Sequence, residues 1–249
     1  MIARLQIGER ELAIDLDKPL DISIPMRSGA DNPNAWYVGH PEFKPVKLDD
    51  WEGAVRAGAA VNFTSMHIIP HAHGTHTESL GHITAEQHSV NQSFHRYFYL
   101  AQVVSVSPES KNGDALIGSH QLQDHLKEVE AVVIRTLPND KDKLSKQYSH
   151  SNWPYLTKEA AAMLCRKGVQ HLLIDTPSVD REEDEGKLAA HRAFWDMDGM
   201  PREHATITEF IFVEDQIQDG QYVLELQLPN IESDAVPSRP VLYQILENL

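Results

Sequence analysis

The sequence predicts a mixed α/β protein with one domain spanning residues 1–249. First, 249 residues that are 41% hydrophobic and 24% charged have the balance of an ordinary globule and are enough for a substantial core. Second, no Gly/Ser linker, low-complexity tract or repeat divides the chain. Third, strand-like runs are interspersed with helical patterns along the whole length.

Residues 2–7 and 11–16 predict a hairpin around Gly8 and Glu9. A strand at 20–25 and a Pro- and Asn-rich loop through Trp36 and Tyr37 come next. Residues 61–70 predict a strand, and a histidine cluster begins where it ends. Further strands are expected at 97–106 and 131–135, with a short helix at about 119–127 between them. Thr157 opens a helix that Gly168 closes, since Thr-Lys-Glu-Ala is capping chemistry and glycine accepts the left-handed stop. A buried strand at 171–175 follows. Its carboxyl end releases the loop Thr176–Asp180, a place where sites form in α/β sheets. After the mostly acidic stretch 180–185, residues 187–195 predict a helix, 205–213 a strand, and 221–228 and 239–246 two final strands.

The formal charge of −15 argues against nucleic acid as a partner, because a duplex would be repelled. It also disfavours anionic substrates at long range unless a cation reverses the field near the site. No apolar run approaches the roughly 20 residues needed to span a bilayer, and the charged N-terminal stretch lacks a signal peptide's apolar segment. A cytoplasmic protein without membrane association is expected. The single cysteine, Cys165, lies in a helical pattern without a partner thiol and is read as buried packing.

The segment His71-Ala72-His73-Gly74-Thr75-His76-Thr77-Glu78-Ser79-Leu80-Gly81-His82 places four histidines and a carboxylate within twelve residues. Imidazole and carboxylate suit zinc and related divalent ions, whereas a solvated His-rich loop is the bland alternative. His76 and Glu78 leave the same face of an extended strand and can meet one ion. Gly74, on that face, adds no side chain and leaves room for a substrate or second ligand. A divalent site needs further ligands from distant segments. His191, in the helix beginning near Gly186, and Glu209, in an apolar strand where a carboxylate is costly to bury, are the candidates.

Gly74-Thr75-His76-x-Glu78-x-x-x-His82 resembles the HxGTHxDxPxH signature of the cyclase-like metal-dependent hydrolases, which include bacterial kynurenine formamidase and isatin hydrolase. Leu20–Pro25, Gly168–Asp180, His191, Ala205–Glu209 and Asp234–Arg239 resemble the family's other landmarks in the same order. The resemblance implies a swivelling β/β/α fold with a central mixed sheet flanked by helices. It further implies one or two zinc or manganese ions held by His76, Glu78, His191 and Glu209, with His82 as the acid/base. The reaction implied is hydrolysis of a C–N bond in a small-molecule amide, arylformamide or cyclic amide, by water that the metal acidifies towards a pKa of about 7. A homodimer or higher oligomer, with Trp36 near a subunit boundary, is implied as well.

Three positions depart from the signature. Glu78 stands in place of Asp, Leu80 in place of Pro, and Ala72 where the first ligand histidine belongs. A β-bulge between Pro70 and Gly74 is expected to restore parity and make His71 the fifth ligand, with His73 lining the pocket. By the same resemblance Trp36 is a candidate to stack on an aromatic substrate, the alternative being a rim or core tryptophan; Phe194 and Trp195 could serve the same purpose, though their spacing also suits helix packing. The alternative function is a non-catalytic metal- or ligand-binding relative. His82 speaks against it, because a binding module has no need of an acid/base histidine.

Overall fold

The computed structural model describes residues 1–126 and 128–246. Eleven strands form one mixed sheet: β1 (Ile2–Ile7), β2 (Arg10–Asp15), β3 (Leu20–Asp21), β4 (His76–Glu78), β5 (Phe98–Val106), β6 (Ala131–Thr136), β7 (His171–Ile174), β8 (Thr206–Glu209), β9 (Gly220–Glu225), β10 (Ala235–Pro237) and β11 (Val241–Leu246). Their order is β1-β2-β11-β9-β5-β6-β7-β8-β4-β10, with β3 also paired to β11. Strands β5 to β8 run parallel, and the pairs on either side are antiparallel.

The parallel centre is buried on both faces, which explains why β6 reads Ala-Val-Val-Ile-Arg-Thr without alternation. Val132 and Ile134 join a core with Leu164, Phe194 and Trp195, whereas Ala131 and Val133 join another with Ile22, Ile211 and Leu224. Alternate residues of one strand thus serve opposite faces. The first face is covered by α3 (Lys158–Arg166) and α4 (Ala189–Phe194); the shorter helical turns are α1 (Pro70–His73) and α2 (His120–Gln123). Thr157 caps α3 by accepting from the Ala160 amide at 3.1 Å, and Gly168 leaves it at φ 77°. Cys165 is only half-buried on this helix. Of the helix expected at 119–127, residues 120–123 are helical, and residue 127 lies outside the described residues.

The largest correction concerns 61–70. Only Thr64–His67 is a strand; it is exposed and pairs with Glu42–Pro45, a segment without a clear strand signal in the sequence. The strand at 205–213 is also shorter, Thr206–Glu209, because Phe210 turns at φ 54°. Among the described residues no helix is long and apolar enough to cross a membrane.

Candidate metal centre

The β-bulge expected at 70–74 is instead the single helical turn α1. Pro70 occupies its first turn, where a missing N–H costs nothing, and the Ala72 and His73 amides donate to the Ile69 carbonyl at 3.0 and 3.1 Å. The turn ends at Gly74, whose φ of 147° suits glycine alone. A Cβ there would meet only Met26 Cε at 3.5 Å, so backbone conformation rather than crowding selects the glycine. Strand parity does not apply across a helical turn, and this brings His71 to the site in place of the buried Ala72. Its Nδ1 lies 3.0 Å from Glu78 Oε2. His73, expected to line the pocket, is turned away. It is fully buried, with Nδ1 accepting from the Ile69 amide and Nε2 donating to the Gly39 carbonyl.

Strand β4 lies between β8 and β10, with Glu209 opposite His76 and Ile207 and Ala235 both opposite Glu78. His76 and Glu78 are fully buried, and His76 Nε2 is 3.4 Å from Glu209 Oε2. From α4, His191 directs Nε2 to Glu78 Oε1 at 3.0 Å. The sequence-predicted ligands His71, His76, Glu78, His191 and Glu209 therefore converge from four elements, α1, β4, α4 and β8. His82 follows β4 on a 3-10 turn, with Nε2 4.0 Å from Glu78 Oε2 and its ring 4.1 Å from that of His71.

Two carboxylates with no role assigned from sequence complete the arrangement. Asp180 accepts from His191 Nδ1 at 2.6 Å and from the Ala190 and His191 amides, so it both orients the ring and holds the start of α4. Asp234 accepts from His71 Nε2 at 3.0 Å and lies 3.6 Å from His82 Nδ1. Carboxylates behind ligand histidines fix which nitrogen faces an ion. The loop position of Asp180 after β7 was a usable signal. Asp234, beside β10 and far from the cluster in sequence, was marked only by the resemblance of Asp234–Arg239 to a family landmark.

Electrostatics show what the cluster lacks. Four carboxylates (Glu78, Asp180, Glu209, Asp234) meet four imidazoles (His71, His76, His82, His191), so with neutral rings the site carries four negative charges, most of them buried. Burial penalises charge on His71, but hydrogen bonding to Asp234 and the contact with Glu78 outweigh it and hold the ring up at about 10. The balance is the same at His191, which Asp180 and Glu78 hold well above the usual imidazole range. Burial raises Glu78, yet the surrounding imidazoles hold its carboxyl well below its ordinary value. Even so, His76 Nε2 and Glu78 Oε2 remain buried without a hydrogen-bond partner. Such orphaned groups are costly, and a cation is the natural complement. Tetrahedral ligands at about 2.1 Å from an ion lie about 3.4 Å apart, and the His76–Glu209 separation of 3.4 Å matches that spacing. The donor set fits a divalent ion: among the described residues three groups of side chains are close enough to hold one, Glu78 and His82 each belonging to two of them, while Glu209 stands just outside all three.

A cavity of about 310 Å³ opens on the cluster, bordered by His71, His82, His191 and Glu209 and by Trp36, Val38, Ile69 and Leu188. A cavity of about 500 Å³ lies beside Lys143 and Asp175, but there the charges are paired, with Nζ donating to Asp175 and Thr136. Phe194 and Trp195 are wholly buried core residues rather than cavity walls.

A mixed sheet with a histidine–carboxylate centre beside the carboxyl end of its parallel strands defines a metal-dependent enzyme class. The chain belongs to the Cyclase family, whose model, described as "Putative cyclase", matches residues 14–181. It is 28% identical over 232 residues to a kynurenine formamidase of Bacillus cytotoxicus, covering 92% of this chain and 96% of that one. In fold it is similar to isatin hydrolase A from Labrenzia aggregata, with a TM-score of 0.65 at 14% identity over 91% of this chain and 93% of the other. An isatin hydrolase bound to the product analogue thioisatinate aligns with a TM-score of 0.64 at 14% identity, over 92% and 93% of the two chains.

Proposed function

We infer that the chain is a metal-dependent hydrolase that cleaves a C–N bond in a small-molecule amide, formamide or cyclic amide. The orphaned pair His76 Nε2 and Glu78 Oε2, buried beside a partly apolar cavity, carries this reading. The names of the relatives, kynurenine formamidase and isatin hydrolase, support the bond type.

His71, His76, Glu78, His191 and Glu209 would hold the ion, with Asp180 and Asp234 orienting the two histidines they face. A divalent ion held there would supply Lewis acidity, lowering the pKa of water and polarising the substrate carbonyl. His82 Nε2 takes the proton from the attacking water and returns it to the leaving nitrogen, while Asp234 steadies the ring through Nδ1. Trp36, Ile69 and Leu188 bind the apolar part of the substrate. The histidine–carboxylate donor set admits zinc and manganese, the two ions the family resemblance implies. The outer edge of β1 has no strand partner among the described residues, which supports a closed homo-oligomer that covers it.

Elemental analysis of the purified protein, with a hydrolysis screen of formanilides, cyclic imides and isatin-like lactams, tests the reading. A stoichiometric divalent metal and turnover of at least one class are expected; a metal-loaded protein inert to all of them would overturn it. Light scattering that gives a mass near 28.1 kDa would count against the oligomer.

A further inference from the structure

The cavity wall formed by Trp36 belongs to a loop in an unfavourable conformation. Trp36 and Tyr37 are consecutive non-glycine residues at φ 62° and 59°, and on the adjoining loop His150 and Asn152 lie at 67° and 48°. The left-handed region is disfavoured for residues with a Cβ, and such conformations persist only where the surroundings over-determine them. Here one side chain contacts both loops. Glu182, nearly buried, accepts from the Tyr37 hydroxyl at 2.9 Å and from the His150 amide at 2.5 Å through Oε1, and from the Asn152 amide at 2.8 Å through Oε2. The carboxylate thus sits in a nest of backbone donors and ties the phenol to it. Above it, the Trp36 indole is edge-on to Trp153 at 4.9 Å and donates to the His71 carbonyl at 3.1 Å.

We propose that Glu182 is a positioning residue that acts through Tyr37 to hold the Trp36 ring as the wall for a flat aryl group on the substrate. This rests on the hydrolase reading for the identity of the reaction but not for the wall itself. Only a carboxylate satisfies three donors at once. A glutamine would turn an NH2 donor toward one of the N–H groups it must accept from. The wall then favours ring-bearing amides, because a small aliphatic amide has no flat face to lie against Trp36.

The test compares Tyr37→Phe and Glu182→Gln with the parent protein, using formanilide as the aryl probe and N-methylformamide as the aliphatic one. Calorimetric dissociation constants are measured alongside kcat and KM. Tyr37→Phe removes one of the three bonds to the Glu182 carboxylate and should weaken formanilide binding and raise its KM about fivefold; Glu182→Gln disturbs all three of these charge-assisted bonds and should do so by about 10- to 100-fold. The kcat for formanilide and the KM for N-methylformamide should not change. Unchanged formanilide affinity in both variants, equal losses for the two probes, or a parent protein that does not bind formanilide would each overturn the proposal. If Glu182→Gln fails to fold, Tyr37→Phe alone decides. Formanilide bound with the expected ladder of affinities, by a metal-loaded protein that hydrolyses neither it nor the cyclic imides and lactams, would support the role of Glu182 and overturn the hydrolase reading alone.

Discussion

Glu209 and His76 are register partners on adjacent antiparallel strands, and Glu209 Oε2 lies 3.4 Å from His76 Nε2, a buried nitrogen without a hydrogen-bond partner. An ion is needed to reconcile them. His76→Ala should therefore lose metal and activity together, read by elemental analysis and turnover on the same preparation. Full metal occupancy in that variant would remove His76 from the ligand set.

His82 should behave differently. Its replacement by alanine is expected to leave metal content nearly intact while lowering turnover about 10²- to 10⁴-fold, the range for removing a positioned acid/base. If His82→Ala strips the metal, the residue is a ligand and the proton must move elsewhere.

The carboxylates behind the histidines should matter for affinity. Asp180→Asn frees His191 Nδ1 from its charged acceptor, and Asp234→Asn does the same for His71 Nε2. Each is expected to weaken metal binding about 10- to 100-fold in competition with a chelator. Loss at Asp180 with none at Asp234 would show that His71 does not take the place vacated at Ala72.

Away from the metal, His171 sets a dependence of stability on acid. It is fully buried, packed between Phe94 and Tyr99, with Nδ1 bonded to Thr206 Oγ1. Burial, helped by Arg96 and Arg202, holds its pKa down at about 3. The unfolded ring takes up a proton below about pH 6.5 while the folded ring stays neutral, so stability falls as the pH drops from there toward 3. Urea unfolding of the chelated protein should show a smaller loss between pH 7 and 4.5 for His171→Gln than for the parent. Parallel curves would reject this account.

Much of the parallel centre was legible because its strands are continuous apolar runs, and α3 because Thr157 and Gly168 mark its ends. The convergence of His76, Glu78, His191 and Glu209 was legible through family resemblance rather than periodicity. What failed was local geometry. A strand pattern continued through Ile68 and Ile69 toward Pro70, yet Pro70 started a helical turn, and the apolar residues of 61–67 are exposed rather than core-forming. His73 was misplaced for the same reason, since a turn and a strand send neighbouring side chains in different directions. Asp234 and Glu182 act across long sequence separations, where spacing carries no information.

Strand β4 is only three residues long, and both of its neighbours, β8 and β10, are made from the last fifth of the chain. A three-residue ribbon has almost no intrinsic persistence, so it is held in place by segments distant from it in sequence. The ion-binding pocket is thus a keystone that depends on non-local pairing. A ligand that binds only the closed arrangement would stabilise the whole sheet by mass action.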